Sequence, residues 1–256
     1  MRAFVEPFIA LTRSAATPGA HNSSASRKIS SLVRMAVILW RAIIVILLSQ
    51  PERLAVPLRY MIAKRDTSFN YSAITDASDS IGLVLFGPAN TALACTSYLL
   101  PFEAHDGRYQ NTRELLGIML SIVLFKSQFG LPPGTRIGVK SDSMSAIIWI
   151  TKNRAASQYA HVAFLAYTWI CIVTGFEIVD ISHIAGKSEE MFDIDALSRN
   201  QRTRDIDYSI FVETTSLPWL NEIFSLCDPT KDRASISDHF NVFNNIVRNV
   251  AKSLRV

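Results

Sequence analysis

The chain has 256 residues, of which 49% are hydrophobic and 19% charged, enough apolar side chain to bury a full core, which excludes an intrinsically disordered protein. Its formal net charge of +4 is compatible with a polyanionic partner without requiring one. Cys95, Cys171 and Cys227 are widely spaced and show neither metal-ligand nor paired spacing, so a disulfide scaffold is excluded and an intracellular setting fits, cytoplasm or nucleus alike.

Residues 1–30, with runs of Ala, Ser, Pro and Gly, read as a flexible leader. Residues 31–65 carry one helix and a boundary at Pro51. The most apolar run in that segment, residues 35–48, is interrupted by Arg41 and falls short of the roughly 20 residues a membrane span needs. A buried amphipathic helix is therefore expected there, and stable membrane insertion is not. From residue 70 to 100, three short apolar runs are separated by Asp79-Ser80 and by Gly87-Pro88-Ala89-Asn90. These connections are too short for crossovers, so the runs predict an antiparallel meander.

Asn111 is placed to cap a helix in which Leu115, Leu116, Met119, Ile122 and Val123 recur at helical spacing, and the helix must end near Gly130 and Pro132. A fourth strand over 135–141 leads to a short helix holding Met144, Ala146, Ile147, Ile148 and Trp149. A further helix fits 157–174, and a last strand, Phe176 to Ser182, precedes a helix containing Asp195. The order predicts an α/β domain over 70–200, a mixed five-stranded sheet flanked by helices, with helical N- and C-terminal extensions. Residues 201–256 read as a C-terminal linker and helical tail, with a helix around 238–254.

Four acidic residues stand where these elements end or begin. Asp76 closes the first strand, Asp142 the fourth, Glu114 lies in the first turn of the long helix, and Asp195 lies in the last one. Several carboxylates around one point suit hard divalent cations such as Mg²⁺, which prefer oxygen ligands over thiolate or imidazole. Each residue also has a plainer role. A strand-end Asp commonly forms turns through its own side chain, and Glu114, three residues after Asn111, fits a helix capping box.

The wording around these residues resembles the ribonuclease H domain of retroelement reverse transcriptases, of the LTR or tyrosine-recombinase type. Ile74-Thr75-Asp76-Ala77-Ser78 is similar to the family's first-strand motif, and Asn111-Thr112-Arg113-Glu114-Leu115-Leu116 to its Glu-bearing helix. His183-Ile184-Ala185-Gly186-Lys187 followed by Asp195-Ala196-Leu197-Ser198-Arg199 resembles its closing signature. Two departures are visible: Ser143 stands where the family usually has Asn after the Asp, and the spacer before Asp195 is about two residues longer than usual, which leaves Asp193 as a rival for the fourth position.

The resemblance implies Mg²⁺- or Mn²⁺-dependent, two-ion endonucleolytic hydrolysis of the RNA strand of RNA–DNA hybrids. It implies Asp76, Glu114, Asp142 and Asp195 as catalytic and metal-binding residues, with Asp76 shared by both ions. It also implies that residues 31–65 resemble the segment joining such a domain to a polymerase, so a reverse transcriptase polymerase domain is an expected partner. Lys152, Arg154 and Lys187 are candidates for gripping nucleic-acid phosphates, although charges after a helix C-terminus also serve as solvated dipole partners. His183 is a candidate proton carrier, with packing or a structural hydrogen bond as its plainer role. The alternative functions are a degenerate domain of the same fold that binds nucleic acid without cutting it, and a transposase-like nuclease.

Overall fold

The structure, a computed structural model, describes residues 33–34, 36–38, 40–41, 44, 68–101, 109–156, 160–201, 207–213 and 218–228. The expected leader over 1–30 and the tail helix around 238–254 lie outside the described residues.

Three strands, β1 (Tyr71–Ala77), β2 (Ser80–Phe86) and β3 (Ala92–Leu99), form the antiparallel meander that the short turns dictate. Two more, β4 (Arg136–Ser141) and β5 (Glu177–His183), extend the sheet on the other side of β1, and both run parallel to it. The order is β3-β2-β1-β4-β5, a mixed five-stranded sheet. Parallel neighbours need crossover connections, which here are helical. The first is α1 (Gln110–Phe129); the second is α2 (Met144–Thr151) followed by α3 (His161–Thr174). The chain then continues through α4 (Glu189–Ser198) and α5 (Pro218–Leu226).

Strand alternation divides the core between the two faces of the sheet. Ala73, Ala77, Ile81, Leu83 and Leu85 face the larger cluster, with α1, α2, α3 and α5. Ile74 faces a smaller cluster made with Ile184, Met191 and Ile194, under α4. The apolar stripe expected on α1 is wider than its spacing implies, because every residue from Thr112 to Lys126 is buried. A helix with no solvent face must lie between other layers, and α1 packs on the sheet on one side and on α3 on the other. Its start also differs from expectation. The helix begins at Gln110, and Asn111 does not cap it; the Asn111 Oδ1 instead accepts a hydrogen bond from the Ser143 hydroxyl at 3.2 Å, joining α1 to the start of α2.

Packing continues past residue 200. The Val212 N–H donates to the Cys95 carbonyl at 2.9 Å and the Thr96 hydroxyl to the Val212 carbonyl at 2.8 Å, covering part of the β3 edge. Leu220, Ile223, Phe224 and Cys227 join the main core, and Phe224 meets Tyr98 edge-on with ring centroids 5.1 Å apart. The described part of the early apolar segment is helical, with Val33 and Ala36 buried, Ile38 and Trp40 packed on the core, and Arg34 and Arg41 exposed. That is the expected amphipathic arrangement. Among the described residues, no helix is long and apolar enough to cross a membrane.

Two glycines allow helices to approach the sheet closely. A Cβ at Gly82 in β2 would fall 2.2 Å from the Ile194 carbonyl oxygen and 2.6 Å from the Ser198 nitrogen of α4. A Cβ at Gly117 in α1 would fall 2.3 Å from Thr75 Oγ1 in β1. Backbone atoms cannot swing aside, so Gly82→Ala is expected to destabilise the fold by about 2–4 kcal/mol. Gly130→Ala, at a helix end with φ of +59° and nothing within 4 Å, should cost only about 1 kcal/mol. Urea denaturation of the two variants checks the ranking, and an equal or smaller loss for Gly82→Ala would contradict the close approach of α4.

Candidate metal centre

The centre follows from the sheet's connectivity. β1 and β4 are parallel neighbours with Thr75 opposite Ser141, so Asp76 near the end of β1 and Asp142 just beyond β4 emerge side by side. The chain leaves these strands in opposite directions, toward β2 and toward β5, which opens a crevice at their carboxyl ends. Ser80 pairs with Leu99, so β3 finishes at this same end of the sheet and α1 must start there. Glu114 therefore points back at β1 from the second turn of α1, one turn later than expected. Ligand oxygens of Asp76, Glu114 and Asp142 all lie within 4.8 Å of one another.

Hydrogen bonds hold Glu114 in place and exclude the capping-box role. Its Oε1 accepts from the Ala77 N–H at 3.3 Å and from the Gln110 amide at 2.8 Å, while the Ser141 hydroxyl lies 3.5 Å from Oε2. The Gln110 amide also donates to the Ala77 carbonyl. This contact occupies the backbone of β1 where the strand ends. Ser143 caps α2 by accepting from the Ala146 N–H at 3.3 Å, and its own N–H donates to the Ser141 hydroxyl at 3.1 Å. The turn carrying Asp142 is thus fixed at both sides.

From the opposite face, α4 brings Ser198 and Asp195. Asp76 pairs with Gly82 across β1 and β2, and the missing side chain at Gly82 is what admits α4 there. The buried Ser198 hydroxyl stands between the Asp195 carbonyl, 2.8 Å away, and the Asp76 carboxylate, and it can donate to either. Asp195 lies outside the tight three-residue set. Its carboxylate takes hydrogen bonds from Arg199 at 2.9 and 3.1 Å, yet its charge still reaches Asp76 and Asp142. Asp193, the rival in sequence, is half-buried with its Oδ1 enclosed and unpartnered.

All three clustered carboxyls are pushed above the ordinary carboxylate range, and burial is the largest cause in each case. Glu114, 2% exposed, rises furthest; the charges of Asp76 and Asp142 add to the effect of burial. Asp76, 7% exposed, is raised by burial, lowered by its hydrogen bond with Ser198, and raised again by Asp142 and Asp195. Asp142 is raised by burial and pulled down by His183. A bulge in β5 leaves Val179 without a partner in β4 and sets His183 opposite Ser141, so this imidazole is exposed beside Asp142 and not packed in the core. Lys152 and Arg154 are exposed just after α2, and Lys187 is exposed in the turn after β5. None of the three belongs to the tight carboxylate set.

Three convergent carboxylates offer hard oxygen donors and no thiolate, so the group could hold a metal ion. Sequence reading missed Gln110, Ser141, Ser198 and Arg199 as parts of the site. Only Ser198 and Arg199 carried a signal, through their place beside Asp195 in the closing motif.

The raised carboxyls fix the sign of the pH dependence. The folded state holds protons that the unfolded chain has already released, so cation-free stability should fall as pH rises from the ordinary carboxylate range through the raised values, then level off. Glu114→Gln keeps the shape of the protonated acid and should raise stability at pH 8 without cations by on the order of 1 kcal/mol. Urea unfolding of both proteins from pH 4 to pH 8 tests this; greater wild-type stability at the alkaline end would refute it.

No protein-family model matches the chain, and no curated protein matches it either.

Proposed function

We propose that this domain is a divalent-metal-dependent nuclease of the ribonuclease H type that hydrolyses the RNA strand of RNA–DNA hybrids, as the corresponding part of a retroelement reverse transcriptase. The observation that carries the reading is the convergence of Asp76, Glu114 and Asp142, from three separate elements, at the carboxyl ends of two adjacent parallel strands. The strand order, with the meander on one side of β1 and the crossovers on the other, is compatible with that fold.

When bound, two Mg²⁺ or Mn²⁺ ions would supply the charge that stabilises the attacking and leaving oxygens of an in-line phosphodiester displacement. Asp76, Glu114 and Asp142 would hold them, with Asp195 on the outer side. Glu114 is the most rigid of these ligands, because the Ala77 N–H and Gln110 fix its Oε1. Asp76 is set by Ser198 and by its strand. His183 offers an exposed imidazole beside Asp142. Lys152, Arg154 and Lys187 supply exposed cations for backbone phosphates. Discrimination of the RNA strand would come from contacts to its 2′-hydroxyls.

One observation favours a second reading, a domain that binds nucleic acid without cutting it: Asp195 is engaged by Arg199 and stands outside the tight set. Cleavage assays on the full chain with Mg²⁺ and labelled hybrid, duplex DNA and duplex RNA separate the two. Asp76→Asn retains side-chain size and removes charge, so hybrid cleavage should fall at least about 10³-fold. His183→Ala should cost roughly ten-fold. Equal cleavage by wild type and Asp76→Asn would remove the enzymatic reading and leave the binding one.

A further inference from the structure

Arg199 forms a direct ion pair at this acidic centre, and its geometry is specific. Its Nε donates to both Asp195 oxygens at 3.1 Å and its Nη2 donates to Oδ1 at 2.9 Å, one helical turn away across the end of α4. Both side chains are about half exposed, 53% for Arg199 and 45% for Asp195. The guanidinium also sits within the field of Asp76 and Asp79, so it neutralises more than its direct partner. Asp195 is consequently held in a direct ion pair, whereas His183 acts on Asp142 only through its charge, and Asp195 does not join the three converging oxygens.

We propose that Arg199 is a tethered counter-cation that occupies Asp195 until a second divalent ion displaces it. This inference rests on the metal-centre reading above and adds an order of loading to it. The first ion enters the Asp76, Glu114 and Asp142 set, where burial and like charge leave the carboxyls in need of a cation. The second needs Asp195, and must take it from Arg199. An exposed pair of this spacing is weakly held, so the exchange is available at ordinary cation concentrations. A guanidinium in that place lowers the negative potential of the outer site in the absence of the second ion. It also leaves the inner three carboxylates as the first to fill.

The test is cation binding and needs no substrate. Mn²⁺ is titrated calorimetrically into the full chain as wild type, Arg199→Gln, Arg199→Lys and Asp195→Asn. Wild type should bind in two phases. Arg199→Gln should tighten the weaker phase about three-fold or more, because the competitor is gone, and Arg199→Lys, which keeps the charge without the planar fork, should fall between. Asp195→Asn should lose the weaker phase and keep the stronger. Unfolding midpoints without cations should differ only slightly from wild type for all three, since the pair is exposed. An unchanged or weakened second phase in Arg199→Gln, with the first phase intact, would overturn the latch while leaving the inner centre standing. A wild type that binds no Mn²⁺ would overturn both.

Discussion

Two of the three carboxylates at the end of β1 are almost dry, and the ligand oxygens of all three come within 4.8 Å of one another. Two unit charges at such a separation repel by on the order of 4 kcal/mol at the effective dielectric of a protein, less where Asp142 still meets water. The cation-free domain therefore cannot keep all three ionised without cost, and their carboxyls hold protons to higher pH than free carboxyls do. Much of the local structure serves to hold this unfavourable group together: the Ala77 N–H and the Gln110 amide on Glu114, the Ser198 hydroxyl on Asp76, and the doubly fixed turn at Asp142. Strain of this kind is retained where a ligand relieves it.

The scaffold meets that constraint by closing on β1 from both faces. α1 approaches over Gly117 and delivers Glu114; α4 approaches over Gly82 and delivers Ser198 and Asp195. A Cβ would meet the α4 backbone at Gly82 and the Thr75 hydroxyl at Gly117, so in each case the missing side chain sets the distance. The apolar layers give the approach its stability, with Ile81, Leu83 and Leu85 under α1, and Ile74 and Ile184 packed against Met191 and Ile194 of α4. The site depends on local sequence at the strand ends and on packing several residues away.

Much of the architecture is legible in the sequence, because turn residues and apolar period mark the meander, the strand over 135–141 and the helices without tertiary information. The three converging carboxylates are legible for the same reason, since each stands at or within two turns of an element boundary. What sequence reading loses is tertiary use of polar side chains. Asn111 has the form of an N-cap, but its carbonyl oxygen is engaged by Ser143 of another helix. Glu114 has the spacing of a capping box, but its carboxylate turns to β1. Gly82 and Gly117 look like strand and helix defects until the element that crosses them is known. The segment after residue 200 reads as a linker and helical tail, and its described helix, Pro218–Leu226, places Leu220, Ile223 and Phe224 in the main core.

A divalent cation entering the buried acid group would displace its protons. Calorimetric titration of the full chain with Mg²⁺ at one pH, repeated in buffers of different ionisation enthalpy, measures the protons released per ion bound. Net release is expected, growing as pH falls toward the raised carboxyl range, and abolished along with binding in Asp76→Asn. Binding without proton release, or binding that survives Asp76→Asn unchanged, would contradict it.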